Sequence, residues 1–368
     1  DTSVIAVLSP DATTVTAVLE GGYNARYLAG GYLVFMRAGG LFAVPFDLET
    51  LEATPPAVSV QPRVRTDSVW ALAQYDVSSD GTLVYVSGGD AAWSVPTWVD
   101  VETKEEEPLP VPAGVYNNFD LSPDGTQLAI QNASGAEDQV WIYDSRRGTF
   151  TRLTLDGANI YPVWSHDGRE VFFASSRDGE GFRLYRKPVD GSGPASRLLT
   201  DEAEATMETS LPLPTTVTPD GQSLLVMTWA HPTRGGDVWE VPLDGSADPR
   251  AVLATTVNEI IPQVSPDGQW LAYISDSTGD YHVKVRPYPE VERREWVVSE
   301  NEGFDPRWSP DGDELLYRRG WGSFVSVPVV QQGVFEPGVG RELFEIDAHD
   351  SAGPSFAVSP DGERVLVN

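Results

Sequence analysis

The chain contains no cysteine and no long apolar run, and both absences narrow what it can be. Without cysteine there is no disulfide, no thiolate nucleophile and no cysteine-ligated metal. No stretch of 18 or more residues is apolar, as a transmembrane helix would require. The sequence pattern expected of strands begins near residue 1, without the basic and apolar segments of a signal peptide. We therefore expect a soluble domain, with any export signal or membrane anchor lying outside these 368 residues.

Basic residues are scarce, because 25 Lys and Arg stand against 55 Asp and Glu, for a formal charge of −30. Such a surface repels phosphate backbones and anionic membranes, so we expect no nucleic-acid partner and no membrane insertion. Solubility in an extracellular or salty medium explains the acidity most simply. A dedicated cation-binding surface is the alternative.

A helical apolar period is also missing beyond two turns, and 34 Gly and 29 Pro punctuate the chain at hairpin spacing. Instead, a tetrad resembling S-P-D-G recurs every 43 to 53 residues, each time followed by a short apolar run. A degenerate copy, LAGGYLVFM, precedes the first by 50 residues. The aspartates of the regular copies are Asp80, Asp124, Asp167, Asp220, Asp267, Asp311 and Asp361.

Each tetrad predicts a tight turn, with Pro at its first corner, Asp capping it and Gly at the corner with positive φ. The apolar residues on both sides predict strands A and B of one sheet. Alternating segments such as VWIYD, DVWEVP, FVSVP and TWVD predict strand C, and a short strand D follows. The fold class predicted is all-β, a β-propeller of eight four-stranded blades, with seven blades as the alternative.

The two ends predict how the ring closes. Residues 351–368 hold only strands A and B, whereas residues 1–20 hold a pair resembling strands C and D. Sharing one blade would pair both free edges, so we expect a single domain over residues 1–368. Closure within one chain predicts a monomer, and a strand-exchanged assembly is the alternative.

The ordered series of motifs resembles the TolB-like propeller repeats, especially those of the extracytoplasmic regions of bacterial serine/threonine protein kinases. The segments that carry the resemblance include NNFDLSPDG, VWIYDSRRGTFTRLT, YPVWSHDGREVFFASSRDG, VSPDGQWLAYISDSTGDYHVKVRPYP and PRWSPDGDELLYRRG. The resemblance implies a periplasmic, cell-surface or secreted sensory or protein-interaction module. It names no ligand, and the kinase motifs of such relatives are missing here.

Catalysis is not expected from these residues. There is no G-x-S-x-G nucleophile elbow, and the repeats leave no room for a second domain. Two alternatives to a non-catalytic binding module stay open, an accessory propeller of a hydrolase or peptidase and a structural unit of an extracellular assembly.

Metal and cofactor sites are not predicted either. The four histidines, His166, His231, His282 and His349, show no ligand spacing, although His349 lies near Asp347 and Asp350. Most tryptophans fall at core positions such as Trp141, Trp164, Trp239 and Trp308. Trp93, Trp229 and Trp321 lie near hairpin loops and are better candidates for an exposed contact.

A ligand site is predicted on strand A, the innermost strand of each blade. Positions two and four before each tetrad interrupt the apolar pattern and should face the central channel. An anionic channel with one guanidinium suits a peptide end or another small polar or cationic group, although the same residues could merely line a water-filled tunnel. The candidates are Asp76, Asn118, Asp120, Tyr161, Gln263, Asp305 and Arg307.

Overall fold

The structure is a computed structural model, and its contacts divide the chain into two compact units, Asp1–Ser94 and Val95–Asn368. The regular secondary structure of both units is almost entirely antiparallel strands, as predicted. The described residues are 3–9, 13–37, 39–62, 64–67, 72–78, 81–86, 93–135, 137–179, 181–209, 211–229, 235–320, 322–330, 335–346 and 355–368.

The first unit contains one complete sheet and several strand pairs. The complete sheet has the order β3-β4-β5-β6, and β7 also pairs with β5; the pairs are β1-β2, β8-β9 and β10-β11. Their bounds are β1 (Val4–Leu8), β2 (Val15–Glu20), β3 (Tyr23–Leu28), β4 (Tyr32–Arg37), β5 (Gly40–Asp47), β6 (Glu52–Ala53), β7 (Val58–Gln61), β8 (Thr66–Asp67), β9 (Leu72–Ala73), β10 (Tyr75–Val77), β11 (Leu83–Tyr85) and β12 (Trp93–Ser94).

The second unit contains six sheets. The strands that precede its helix are β13 (Thr97–Asp100), β14 (Glu106–Pro108), β15 (Gly114–Leu121), β16 (Gln127–Asn132), β17 (Gln139–Asp144), β18 (Thr149–Arg152), β19 (Asn159–Trp164), β20 (Glu170–Ser175), β21 (Arg183–Pro188) and β22 (Ser196–Arg197). A short helix, α1 (Asp201–Ala205), begins after Thr200, whose hydroxyl accepts the N–H of Ala203.

The remaining strands are β23 (Pro212–Val217), β24 (Ser223–Thr228), β25 (Val238–Pro242), β26 (Arg250–Leu253), β27 (Glu259–Val264), β28 (Trp270–Ser275), β29 (His282–Pro287), β30 (Trp296–Val297), β31 (Phe304–Trp308), β32 (Glu314–Arg319), β33 (Ser323–Val330), β34 (Glu336–Pro337), β35 (Arg341–Glu345), β36 (Phe356–Val358) and β37 (Arg364–Val367). In five sheets the strands β15, β19, β23, β27 and β31 each pair with the strand that follows them in the chain. The sixth has the order β14-β13-β37-β36.

The six sheets of the second unit form a closed ring. The first strand of each sheet contacts that of the next, and β36 contacts both β31 and β15. Apolar side chains fill the spaces between neighbouring sheets, as where Val140 and Ile142 pack with Trp164 and Phe173. Stacking of this kind buries both faces of every sheet, which is the packing of a β-propeller.

The prediction that the strands of residues 1–20 pair with the strands near the C-terminus is wrong. Strands A and B near the C-terminus, β36 and β37, complete their sheet with β13 and β14, while β1 and β2 pair with each other. Residues 95–368 therefore close with six sheets, and not as part of a ring of eight with residues 1–20. Both candidate strand C segments are short and rich in β-branched and apolar residues, so composition alone does not choose between them. In the structure Val99 and Val365 are buried in one cluster.

The tetrads form the turns that the sequence predicts. In the second unit the first residue of each tetrad donates its hydroxyl to the aspartate two positions later, as from Ser122 to Asp124 at 2.8 Å. Asp124 also accepts the N–H of Thr126, and these hydrogen bonds lower the pKa of its carboxyl. The same contacts recur at Asp167, Asp220, Asp267, Asp311 and Asp361, whereas Asp80 lies outside the described residues. Their repetition identifies a structural role.

A β-bulge interrupts each of the five innermost strands from β15 to β31. In three of them a non-glycine residue with positive φ lies at the bulge, namely Tyr161 at 54°, Ile261 at 52° and Asp305 at 54°. A bulge inserts an extra residue and redirects the side chains around it. The strict alternation predicted for strand A therefore does not hold along its length.

Candidate binding site at the axial cavity

A cavity of about 470 Å³ lies among the innermost strands of the second unit. We call it the axial cavity. Its polar lining includes the side chains of Asp120, Gln263 and Arg307, which come from three different sheets. The turn prolines Pro123, Pro266, Pro310 and Pro360 line it as well. The backbone of the turns around this cavity is therefore restricted, because each proline ring fixes its own φ.

Asp120 is the carboxylate of the axial cavity. Its Oδ2 accepts the backbone N–H of Trp164 at 2.8 Å, across the boundary between two sheets. Burial raises the pKa of Asp120 to about 6, although the Trp164 hydrogen bond and the charge of Arg307 act in the opposite direction. A carboxylate kept in a site where its charge is costly is a common feature of functional sites.

Arg307 lies between a carboxylate and a main-chain carbonyl. Its Nε donates to the carbonyl oxygen of Phe356 at 3.1 Å, and its Nη2 lies 3.6 Å from Oδ1 of Asp305. Asp305 is buried, and its Oδ2 accepts both the N–H and the hydroxyl of Ser355 at 2.7 Å. Its Oδ1 accepts no hydrogen bond within the described part of the chain. Two carboxylates therefore lie near one guanidinium, which leaves an excess of negative charge.

Tyr161 and Asn118 form a buried polar cluster with Gln131. Oε1 of Gln131 accepts Nδ2 of Asn118 at 3.0 Å and the backbone N–H of Tyr161 at 3.2 Å. Burial raises the pKa of the Tyr161 hydroxyl, and the charge of Asp305 raises it further, while a hydrogen bond with Asn118 lowers it. Because β19 and β31 lie on opposite sides of the ring, Tyr161 and Asp305 interact across its axis.

The seven candidates are thus not equivalent. Asp120, Gln263 and Arg307 line the axial cavity, whereas Asn118, Tyr161 and Asp305 are buried beside it in the same ring. Asp76 belongs to the first unit, where it is exposed and forms an ion pair with Arg26. Gln131, Ser355 and the turn prolines were not among the candidates. Of these residues, only the prolines could have been found from the sequence, because they recur in the tetrads.

A histidine and a serine lie within hydrogen-bond distance of each other in the second unit. Nδ1 of His282 lies 3.2 Å from Oγ of Ser299, but Ser299 is buried and its hydroxyl also accepts the N–H of Val283. No group of three or more potential metal-ligating side chains occurs within the described ranges. His231, Trp321 and the segment with Asp347, His349 and Asp350 lie outside the described residues.

The tryptophans within the described residues are buried or exposed as the sequence predicts. Trp164, Trp239 and Trp308 are buried, and Trp141 is half-buried against Phe150. Trp93 and Trp229 are exposed. No helix among the described residues has the length and apolarity that a membrane crossing requires.

Comparison with known proteins identifies TolB proteins as relatives. No protein-family model matches the chain. The Tol-Pal system protein TolB of Francisella tularensis is 28% identical over 208 residues, which cover 55% of this chain and 45% of that protein. The uncharacterized peptidase YuxL of Bacillus subtilis is 28% identical over 204 residues, covering 53% of this chain and 28% of that protein. The chain thus matches less than half of either relative.

A solved structure extends the similarity to most of the chain. The crystal structure of TolB from Acinetobacter baumannii aligns with a TM-score of 0.50 and 14% identity, covering 91% of this chain and 78% of that one. At this identity the alignment is evidence for the fold alone. Together with the sheet pairing, these similarities identify a TolB-like β-propeller fold.

Proposed function

We propose that this chain is a non-catalytic protein-interaction module that binds a cationic group of a polypeptide, such as a lysine side chain or a peptide amino terminus, in the axial cavity. The observation that carries the proposal is the convergence of Asp120, Gln263 and Arg307 from three sheets on one cavity of about 470 Å³. Ligand sites are commonly concave and hold a few convergent polar groups.

The charges near the cavity favour a cationic ligand. Asp120 and Asp305 outnumber Arg307, and Oδ1 of Asp305 is buried without a hydrogen-bond donor among the described residues. The formal charge of −30 would also attract a cationic partner over long distances. Arg307 holds one carboxylate in place and reduces the repulsion between the two.

The relatives support a role in protein interaction outside the cytoplasm. The Francisella relative is named as a protein of the Tol-Pal system, and the motifs resemble extracytoplasmic propeller regions of kinases. We propose an extracytoplasmic location for this chain on the same grounds. A sensory role is part of the proposal, with the bound polypeptide group as the signal.

The proposal is tested by calorimetric titration with the peptide Gly-Lys-Gly-Lys-Gly, using Gly-Glu-Gly-Glu-Gly as the control peptide. Asp120→Asn removes the charge but keeps an oxygen that can accept the Trp164 N–H. We expect this variant to bind the lysine peptide at least tenfold more weakly than the parent. Asp248→Asn removes an exposed carboxylate elsewhere in the second unit and should leave binding unchanged. Equal losses in both variants would show only general attraction to an acidic protein.

A second candidate function is an accessory propeller of a peptidase-type protein, favoured by the similarity to the Bacillus peptidase. In that role the same cavity would present a peptide to a catalytic domain supplied separately. Both candidate functions require that the chain itself has no peptidase activity, and incubation of the purified chain with a peptide library tests this shared requirement. Hydrolysis that disappears on changing Ser299 or His282 would contradict the non-catalytic assignment.

A further inference from the structure

The hairpin β10-β11 in the first unit corresponds to the strands A and B that the sequence predicts for one blade. In five sheets of the second unit the second strand is covered by a third, as β16 is covered by β17 and β28 by β29. From the sequence pattern, the segment Thr97–Asp100 is expected to be the third strand that covers β11 in this way. That segment is instead paired with β37 in the second unit. Among the described residues β11 therefore has a partner strand on one side only.

The free side of β11 presents backbone hydrogen-bonding groups. Ser78 donates to the carbonyl of Thr82, and Val86 donates to the carbonyl of Gln74. In an antiparallel ladder, residues alternate between bonding to one side and to the other. The register places Asp76 opposite Val84 between these two pairs, so Leu83 and Tyr85 direct their N–H and C=O groups away from β10.

The side chains at this edge are apolar and exposed. The exposed fractions of Val84, Tyr85 and Val86 are 68%, 39% and 46%. Natural edge strands are usually protected from other chains by lysine, proline, a bulge or a covering segment. The segment GTLVYV at positions 81–86 contains no charged residue and no proline, although 22% of the whole chain is charged.

We propose that β11 binds an extended segment of a partner protein, which adds to the β10-β11 hairpin as its third strand. The chain itself shows one sequence that fits beside a second strand, since its own third strand β29, HVKVRP, alternates valine with polar residues. Main-chain hydrogen bonds supply affinity in such strand addition, and alternate side chains supply specificity. The net charge of −30 favours a segment whose polar positions are basic.

This surface is separate from the proposed site at the axial cavity, because it belongs to the first unit and uses main-chain groups. Asp120→Asn should therefore leave strand binding unchanged. The two proposals can fail independently.

The test uses the peptide YHVKVRP, the sequence of residues 281–287, which includes the chain's own basic third strand. The control peptide YHVKPRP replaces one ladder residue by proline, which cannot donate a hydrogen bond. Hydrogen exchange of the unmodified protein is followed at the Leu83 and Tyr85 amides. We expect YHVKVRP to slow their exchange at least tenfold and YHVKPRP to have little effect.

A pair of variants separates the backbone from the side chain. Tyr85→Pro removes one outward N–H, and Tyr85→Ala removes the ring but keeps that N–H. Fluorescence polarisation of labelled YHVKVRP should show binding lost in Tyr85→Pro and retained within threefold in Tyr85→Ala, with both variants checked for folding by circular dichroism.

Three results would overturn the proposal: unchanged exchange in the unmodified protein, equal slowing by both peptides, or protection that appears without peptide as the chain dimerises in the ultracentrifuge.

Discussion

Asp120 and Trp164 are joined twice across the boundary between two neighbouring sheets. The carboxylate of Asp120 accepts the backbone N–H of Trp164 at 2.8 Å, and the indole Nε1 of Trp164 donates to the carbonyl oxygen of Asp120 at 3.1 Å. Trp308 repeats half of this arrangement, since its Nε1 donates to the carbonyl oxygen of Gln263 at 3.1 Å. The residues that line the axial cavity thus also hold neighbouring sheets together.

Asp120→Asn should stabilise the protein at neutral pH. The pKa of Asp120 is raised from 3.8 to about 6 in the folded protein, so the folded state favours the protonated form. The associated stability is fully present below pH 3.8 and is lost as the pH rises through about 6. The shift corresponds to about 3 kcal/mol. Urea unfolding should show Asp120→Asn more stable than the parent at pH 7.5 and nearly equal to it at pH 4.

Asp120→Ala is the matched variant, because it removes the acceptor as well as the charge. It leaves the Trp164 N–H without a partner, which costs about 1–3 kcal/mol for a buried donor. The alanine variant should therefore be less stable than the asparagine variant at both pH values. Equal stability of the two would show that the hydrogen bond to Trp164 contributes nothing.

Glu295 should contribute stability that is lost in acid. Burial would raise its pKa, but hydrogen bonds from Lys284, Tyr273 and Arg286 outweigh burial and lower the pKa to about 2. Because the pKa is lowered, this stability is present above about pH 4.5 and is lost as the pH falls toward 2. Differential scanning calorimetry between pH 6 and pH 2.5 should show a fall in Tm that is smaller in Glu295→Gln.

Lys284 offers the matched control for Glu295. Its ammonium group is buried and lies 2.8 Å from Oε1 of Glu295. Only the lysine of this pair is buried, since about a third of the Glu295 side chain is exposed. Removing Glu295 leaves the buried ammonium without its carboxylate, whereas replacing both members removes that unpaired charge. Glu295→Gln should therefore destabilise the chain at pH 7 more than the double variant Lys284→Met with Glu295→Gln. The reverse order would contradict a mutual dependence of the two charges.

Deleting residues 355–368 should open the ring of the second unit, whereas deleting residues 1–20 should leave it intact. The reason is that β37 pairs with β13 and buries Val365 and Leu366 completely. Each deletion is tested by limited proteolysis of residues 95–368 and by the thermal midpoint of that unit. Loss of protection on deleting residues 1–20 would restore the closure first predicted from the sequence.

The sequence was sufficient for the fold class because the tetrads carry their own geometry. Ser122 and Asp124 form their turn from local hydrogen bonds, so a local pattern is enough to predict it. Strand partners are non-local, and β13 and β1 are both short strands rich in β-branched and apolar residues. The choice between them depends on which apolar surfaces fit, as Val99 does against Val365.

The candidate site was predicted only in part for a similar reason. Alternation identified Asp120, Gln263 and Arg307, which lie two positions before a tetrad and line the axial cavity. The position four before it lies at a bulge, where Tyr161 and Asp305 adopt positive φ. Neither residue is a glycine, so nothing in the sequence marked the change of direction.

Zero-length cross-linking tests the proposed cationic ligand most directly. A carbodiimide would couple the amines of bound Gly-Lys-Gly-Lys-Gly to carboxylates within contact distance, and mass spectrometry would identify them. The account predicts a saturable cross-link to Asp120 that free lysine amide at high concentration suppresses. Cross-links confined to exposed carboxylates such as Asp248, with Asp120 unmodified, would contradict it.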